Sequence, residues 1–314
     1  MTRKTKIVLA GIGGVGGYFG GLLAKKYAAA DIDIIFLARG EHLEHIQNNG
    51  LKVIHGNESF IARPALATDD TTEIGVADFI LICTKNYDLI QTIEQLKPCI
   101  GPSTILLPLL NGVDSTERIK SFLPGITILQ GCVYLVSRLK QAGIIENSGN
   151  IQQFYFGADR SDNTIDDRLR FLEHLLKDAG IDATFSKNIL SVIWEKFIFV
   201  SPLATATCFY NTSIGAVLAA HENAITDLID EAVQITAVKG ITVDKNIAAS
   251  TLEKMKALHY EATSSMHNDL KNNKPYTEVD SLTGYVVRAG RELNIHTPVY
   301  TTMYHYLAGL QNGH

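Results

Sequence analysis

Four short runs in the first 110 residues are apolar throughout: KIVLA (6–10, after its lysine), IIFLA (34–38), FILIC (79–83) and ILLPLL (105–110). The unbroken character of the last two fits parallel strands covered on both faces, since a sheet with one wet face would alternate polar and apolar residues. Further along, GITILQGCVYLVSR (125–138) and GIIENSGNIQQFYFGA (143–158) have the shape of a hairpin that extends the sheet. In TIDDRLRFLEHLLKDAGID (164–182) the period changes to helical, with Leu169, Leu172, Leu175 and Leu176 on one side. From Asn188 onward the periodicity is mostly helical. A long helix over 221–241 is closed by Gly240, and another in 250–276 is broken by Pro275. A third over 277–295 has Thr277 as its cap, with Glu278 and Asp280 in the first turn. The pattern predicts an α/β domain with a mainly parallel sheet over 1–187, then an all-α domain over 188–314.

The link between the first strand and the helix-compatible segment after it is rich in glycine. In KIVLAGIGGVGGYFGG, residues Gly11, Gly13 and Gly16 fit G-x-G-x-x-G between a strand and a helix. The first allows a tight turn, the second lets the backbone approach a pyrophosphate, and the third permits close helix–strand packing. The helix start adds unpaired N–H groups and the positive end of its dipole. The second strand ends in Ala38-Arg39, where an NAD site would place a carboxylate for the ribose hydroxyls. A guanidinium there matches a 2′-phosphate, so the pattern favours NADP(H). Lys85 and Asn111 come after the next two strands at their carboxyl ends, where open α/β sheets bind ligands.

Composition narrows the class. Of 314 residues, 46% are hydrophobic and 19% charged, as in ordinary globular proteins; the net charge of −5 gives no basic bias toward nucleic acid or membrane. Cys83, Cys99, Cys132 and Cys208 form no C-x-x-C pair, so they read as reduced packing residues, with no metal site and a cytoplasmic location. The basic start of the chain gives way to glycines too soon for a signal peptide, and no window is expected to approach a membrane span.

One cation stands out. Residues 190–210, LSVIWEKFIFVSPLATATCFY, form an apolar stretch in which only Glu195 and Lys196 could carry a charge near neutral pH. Lysine is rarely buried unpaired, so Lys196 either snorkels from a helix edge or handles protons in a cleft.

Several stretches together resemble the ketopantoate reductase (2-dehydropantoate 2-reductase) family: GIGGVG at 11–16, Lys85 in CTKNY, NGV at 111–113, WEKF at 194–197, SSMHNDL at 264–270 and TEVDSLTGYVVRAGRELNIHTPV at 277–299. The resemblance covers essentially the whole chain. It implies a Rossmann-type domain followed by a helical one, with the site between them, and NADPH-dependent reduction of ketopantoate to pantoate in pantothenate and coenzyme A biosynthesis. It makes Lys196 the proton donor, and puts Asn111 near nicotinamide and substrate and Glu278 in contact with both ligands. Ser265 becomes a substrate-holding hydroxyl, and Lys85 lies beside the cofactor. The cofactor set is then Gly11, Ile12, Gly13, Gly14, Val15, Gly16, Arg39, Lys85, Asn111 and Glu278. A partly desolvated lysine suits protonation of the alkoxide left by hydride addition. Where pantoate-forming members carry asparagines, this chain has Val200, Ala204 and, by ungapped counting, Ile214; Ser201, Thr205 or Asn211 stand close enough to compensate. Two alternatives stand beside that activity: reduction of another branched 2-keto acid, or NADP(H) sensing without turnover. The expected partner is a small 2-keto acid, and a homodimer is compatible with the reading.

Overall fold

The computed structural model describes residues 4–158 and 163–312, so the first three residues of the basic start of the chain lie outside them. The described chain forms two compact units. One holds the chain up to Leu110 together with Ser115–Ile189, and the other holds Asn111–Asp114 and the chain from Leu190.

In chain order the first unit comprises β1 (Thr5–Ala10), α1 (Gly14–Tyr27), β2 (Ile32–Leu37), α2 (Gly40–Asn49), β3 (Leu51–His55), β4 (Glu58–Ala62), β5 (Leu66–Thr68) and β6 (Phe79–Ile82). It continues with α3 (Leu89–Leu96), β7 (Ile105–Pro108), α4 (Ser115–Phe122), β8 (Thr127–Ile128), β9 (Gln130–Gln141), β10 (Ile144–Gly157), α5 (Asn163–Asp178) and β11 (Asp182–Phe185). One sheet has the order β5-β2-β1-β6-β7-β8, and every pairing in it is parallel. Alternate residues of its strands enter two different cores. Ile7, Leu9, Ile34, Phe36, Phe79 and Leu81 belong to one, and Val8, Ala10, Ile35, Leu37, Ile80 and Ile82 to the other. Both faces are therefore buried, which is why the runs are apolar without alternation. The four leucines expected on one side of α5 are all buried in the first of these cores.

The hairpin β9–β10 does not extend that sheet. It builds a second one, of order β11-β10-β3-β4, with β9 paired antiparallel to β10. The physical reason lies in α1. Side chains built at Gly16 and Gly20 would collide with, or press on, the parallel sheet at Gly11, Cys83, Leu9 and Phe36. Built at Gly17 and Gly21, they would strike Ile145 of β10 and Val53 of β3. Two rows of glycine four residues apart thus let a sheet close on each side of one helix.

In the second unit every helix or strand among the described residues is helical: α6 (Ile189–Phe209, whose first residue packs with the other unit), α7 (Ile214–Val238), α8 (Ile247–Lys256), α9 (Ser265–Lys271), α10 (Tyr285–Leu293) and α11 (Pro298–Asn312). Helix α7 starts earlier than the sequence pattern suggests, at the Ser213 cap, and bends at His221, whose φ of −142° is not helical. It ends where expected, with Gly240 at φ +69°. The segment expected to hold one helix broken by Pro275 holds two, α8 and α9. The Ser264 side chain accepts the His267 N–H at 3.0 Å and so starts the second.

By length and composition α6 could cross a membrane, against the sequence expectation. Its apolar residues are spent inside the protein, however: Trp194, Phe197, Ile198, Leu203, Ala204, Ala206 and Cys208 lie in the helical core. It is a core helix. All four cysteines are free, and burial pushes the Cys99 thiol up to about 11 and those of Cys83 and Cys208 up to about 12.

Candidate active site

The glycine turn has the shape its spacing predicts. Gly11 has φ +93°, and a Cβ there would press on the backbone of Thr84 just past β6. Gly13 caps α1 in extended conformation, and a Cβ built on it would meet nothing within 4 Å. Its Cα face is open while its neighbours are packed, as a turn that admits a ligand requires. Next to Gly11, the Thr84 hydroxyl oxygen is buried without a hydrogen-bond partner. A buried polar atom left so next to an open glycine turn fits a polar ligand held there. The residues present therefore suit a dinucleotide phosphate.

Arg39 follows β2 and precedes α2. It is largely exposed, and its guanidinium lies 3.6 Å from the Asp88 carboxylate. Such an exposed pair contributes about 0–1 kcal/mol, less than the roughly 1.5–3 kcal/mol of a charge-assisted bond to phosphate. Arg39 is thus tethered but free to exchange partners. Lys85 is half-buried and caps the short 3₁₀ turn Asn86–Asp88 after β6.

In the helical unit, three predicted residues meet. Asn111 lies three positions past β7 and is followed by Gly112 at φ +93°, a turn that glycine accommodates without strain. The Lys196 ammonium donates to Asn111 Oδ1 at 3.1 Å, and Asn111 Nδ2 donates to Glu278 Oε2 at 3.4 Å. The amide stands between cation and carboxylate with its acceptor toward one and its donors toward the other, so its orientation is determined by the charges. Glu278 is buried, whereas Lys196 and Asn111 are half-buried. An ammonium held at a fixed azimuth can stabilise a developing oxyanion and give it a proton.

Glu278 is placed by an unusual turn. Thr277 Oγ1 accepts the Val279 N–H at 3.4 Å, as a cap should, but the expected ordinary first turn is a π-helix over Asp280–Gly284. Such widened turns often occur at functional sites. Helix α6 holds this one in place. Ser201 Oγ donates to the Leu282 carbonyl at 3.0 Å and lies 2.7 Å from the Tyr300 hydroxyl, and Thr205 Oγ1 is 2.8 Å from Thr283 Oγ1. Sequence reasoning offered Ser201, Thr205 and Asn211 as substitutes for missing amides. The structure commits all three to internal bonds, the last to His267 Nε2 at 2.9 Å. Ala204 and Ile214 are sealed in the core, and only Val200 keeps partial exposure. Ser265 is the exposed first residue of α9, whereas the neighbouring Ser264 is buried and lies 3.1 Å from Thr207 Oγ1. The structural roles of Ser201 and Thr205 had one signal in sequence, their four-residue spacing on α6.

Comparison with known proteins defines the class. Residues 7–161 match the model of the ketopantoate reductase PanE/ApbA family and residues 188–311 match its C-terminal model. The chain belongs to the ketopantoate reductase family, and is an NADP(H)-linked oxidoreductase acting on a CH–OH or keto group. Among its relatives, an uncharacterized oxidoreductase of Bacillus subtilis, YkpB, is 31% identical over 95% of this chain and 96% of its own length. A 2-dehydropantoate 2-reductase of Streptococcus pyogenes is 28% identical over 93% of both chains. The crystal structure of 2-dehydropantoate 2-reductase from Porphyromonas gingivalis W83 superposes with a TM-score of 0.84 at 35% identity, covering 98% of this chain and 100% of that one.

Proposed function

We propose that the protein reduces 2-dehydropantoate to pantoate with NADPH, as a cytoplasmic enzyme of pantothenate biosynthesis acting on a small molecule, alone or as a homodimer. The observation that carries this reading is the Lys196–Asn111–Glu278 relay. Residues 1–187 serve the cofactor and 188–314 the substrate. Gly11 to Gly16 cradle the pyrophosphate, Arg39 reads the 2′-phosphate, and Lys85, Asn111 and Glu278 complete the cofactor's surroundings. When bound, NADPH supplies the hydride. Lys196 donates its proton to the oxygen of the reduced keto group, which would otherwise remain a high-energy alkoxide. Asn111 holds the ammonium in line, and Glu278 anchors Asn111. Ser265 contributes a hydroxyl to the substrate.

A second substrate, another branched 2-keto acid, is favoured by one specific feature. Ala204 and Ile214 offer no hydrogen bond, and the hydroxyls of Ser201 and Thr205 are already engaged. Sites that read a hydroxyl by hydrogen bonds reject its absence by about 10⁴-fold or more, whereas apolar ones discriminate by about 1–3 kcal/mol per methylene. The test is kcat/KM, followed by NADPH absorbance, for ketopantoate and 2-ketoisovalerate. A ratio above about 10⁴ favours pantoate formation with readout by other residues; comparable values favour the broader substrate class. Turnover of neither acid overturns both.

A further inference from the structure

His42 in α2 makes two bonds with opposite requirements. Its Nε2 lies 2.7 Å from the Ile12 carbonyl, which can only accept, and its Nδ1 lies 2.8 Å from the Gly143 N–H, which can only donate. Together they fix one form of the ring: neutral, with the proton on Nε2. Ile12 is buried and sits between the two glycines that open the dinucleotide turn. A peptide is planar and trans, so the Ile12 carbonyl and the Gly13 N–H point in opposite directions from one rigid plate. Holding the carbonyl therefore aims the N–H. The Gly13 carbonyl is fixed separately, by the Gly17 N–H at 2.8 Å. On its other side the ring is braced by the β9–β10 turn. Gly143, at φ +73°, is packed so closely on the His45 ring that a Cβ would not fit, and its carbonyl accepts the Lys52 N–H at 2.9 Å.

We propose that His42 is a positioning residue for the dinucleotide turn: its neutral ring sets the plane that points the Gly13 N–H at the cofactor's phosphates, and a proton on Nδ1 undoes the setting. The inference rests on the reading that this turn binds a dinucleotide. Protonation would place two N–H groups face to face at Gly143, pushing the ring off its brace while leaving the fold intact. Around the ring, α2 and its cap contribute Arg39, Glu41, Glu44 and His45, of which all but His45 are exposed. The second sheet contributes Lys52, Arg138, Lys140 and Glu146, with Arg138 and Lys140 both paired to Glu146, and the glycine turn contributes no titratable group. Burial, opposed by the Ile12 carbonyl and aided by the His45 charge, lowers the His42 pKa from its usual value, so the neutral ring persists at neutral pH.

The experiment is calorimetric titration of the full chain with NADP⁺ and NAD⁺ between pH 5.5 and 8, using the parent, His42→Ala and His42→Gln. Parent and variant are compared on the same nucleotide, which cancels titration of the 2′-phosphate. At pH 8, His42→Ala should bind about tenfold more weakly, the equivalent of one hydrogen bond. The gap should shrink as pH falls, because only the parent loses the brace. His42→Gln, whose amide does not titrate, should recover part of the affinity with a pH profile as flat as that of His42→Ala. A gap that is constant with pH, or absent at pH 8, overturns the proposal while parental binding leaves the dinucleotide reading standing. A parent that binds neither nucleotide removes both.

Discussion

Replacing Ser201 with alanine removes one oxygen from a fully buried position and strands two others. Ser201 has one proton, given to the Leu282 carbonyl, so the Tyr300 hydroxyl must donate to Ser201. In the variant the carbonyl loses its donor and the phenol its acceptor, both without access to water. Each unsatisfied buried group costs about 1–3 kcal/mol, and partial relaxation brings the expected loss to about 2–4 kcal/mol. Tyr300→Phe alone spares the Leu282 bond and should cost about 1 kcal/mol. Adding it to Ser201→Ala deletes the stranded phenol oxygen. The double variant should then be less destabilised than the two singles combined, by about 1–2 kcal/mol.

The assay is urea denaturation followed by the fluorescence of Trp194, the chain's one tryptophan. It is buried in the helical core, edge-on to Phe197 and Tyr285, so its signal belongs to the unit that contains the mutation. Unfolding of a two-unit protein need not be two-state, which makes a local probe necessary. A loss under about 0.5 kcal/mol for Ser201→Ala, or strict additivity with Tyr300→Phe, would refute the claim that this hydroxyl ties α6 to the π turn. If the claim holds, turnover should fall along with stability, because the turn begins beside Glu278.

Three other outcomes are expected. Lys196→Ala should lower kcat by roughly 10²–10⁴-fold, the usual contribution of a positioned proton donor, with NADPH affinity by fluorescence titration nearly unchanged. Arg39→Ala should erase most of a preference for NADPH over NADH of at least about tenfold, measured as the ratio of apparent dissociation constants; an unchanged ratio would assign the phosphate to other residues. Burial, helped by the Lys271 charge, lowers the pKa of His267 below its usual 6.5. The unfolded chain therefore binds that proton first: stability is full above about pH 6.5 and declines as pH falls through the lower folded value. The Trp194 midpoint should decline more steeply between pH 7 and 5 in the parent than in His267→Gln, and equal slopes would exclude this histidine.

The parallel strands were legible because burial on both faces leaves one mark, a run without alternation, and Gly11 and Gly13 because a tight turn and an open approach each require the residue found. The hairpin was read as a hairpin but assigned to the wrong sheet. Its own residues say only that it alternates. The partner is chosen by Gly17 and Gly21, more than a hundred residues earlier, which leave room on the far side of α1 for β10 and β3. Within GGYFGG nothing distinguishes a glycine that meets one sheet from a glycine that meets the other until the helix is built. His42 was invisible for a similar reason, since neither of its bonds is local in sequence.

The site divides along the same line. Lys196, Asn111 and Glu278 lie 85 and 167 residues apart in the two bonds that join them, and no periodicity brings them together. Family resemblance named them; hydrogen bonds then gave each a partner. Ser201 and Thr205 were offered to substrate only as neighbours of Val200 and Ala204, which stand four and eight residues after Lys196 on its face of the helix. Spacing fixes a face, but not what covers it. The face of α6 that carries Ser201 and Thr205 meets the π turn and Tyr300, and each of the two hydroxyls meets a partner there: Ser201 a carbonyl, Thr205 another hydroxyl. A buried serine or threonine in an apolar helix is thus equally consistent with ligand readout and with repair of an irregular neighbour. Here the widened turn supplies the need for repair, and the polar row of α6 answers it. Of Val200, Ala204 and Ile214, that leaves Val200, half-exposed and one turn from Lys196, as the position where the proposed reading expects discrimination by the shape of a branched alkyl group.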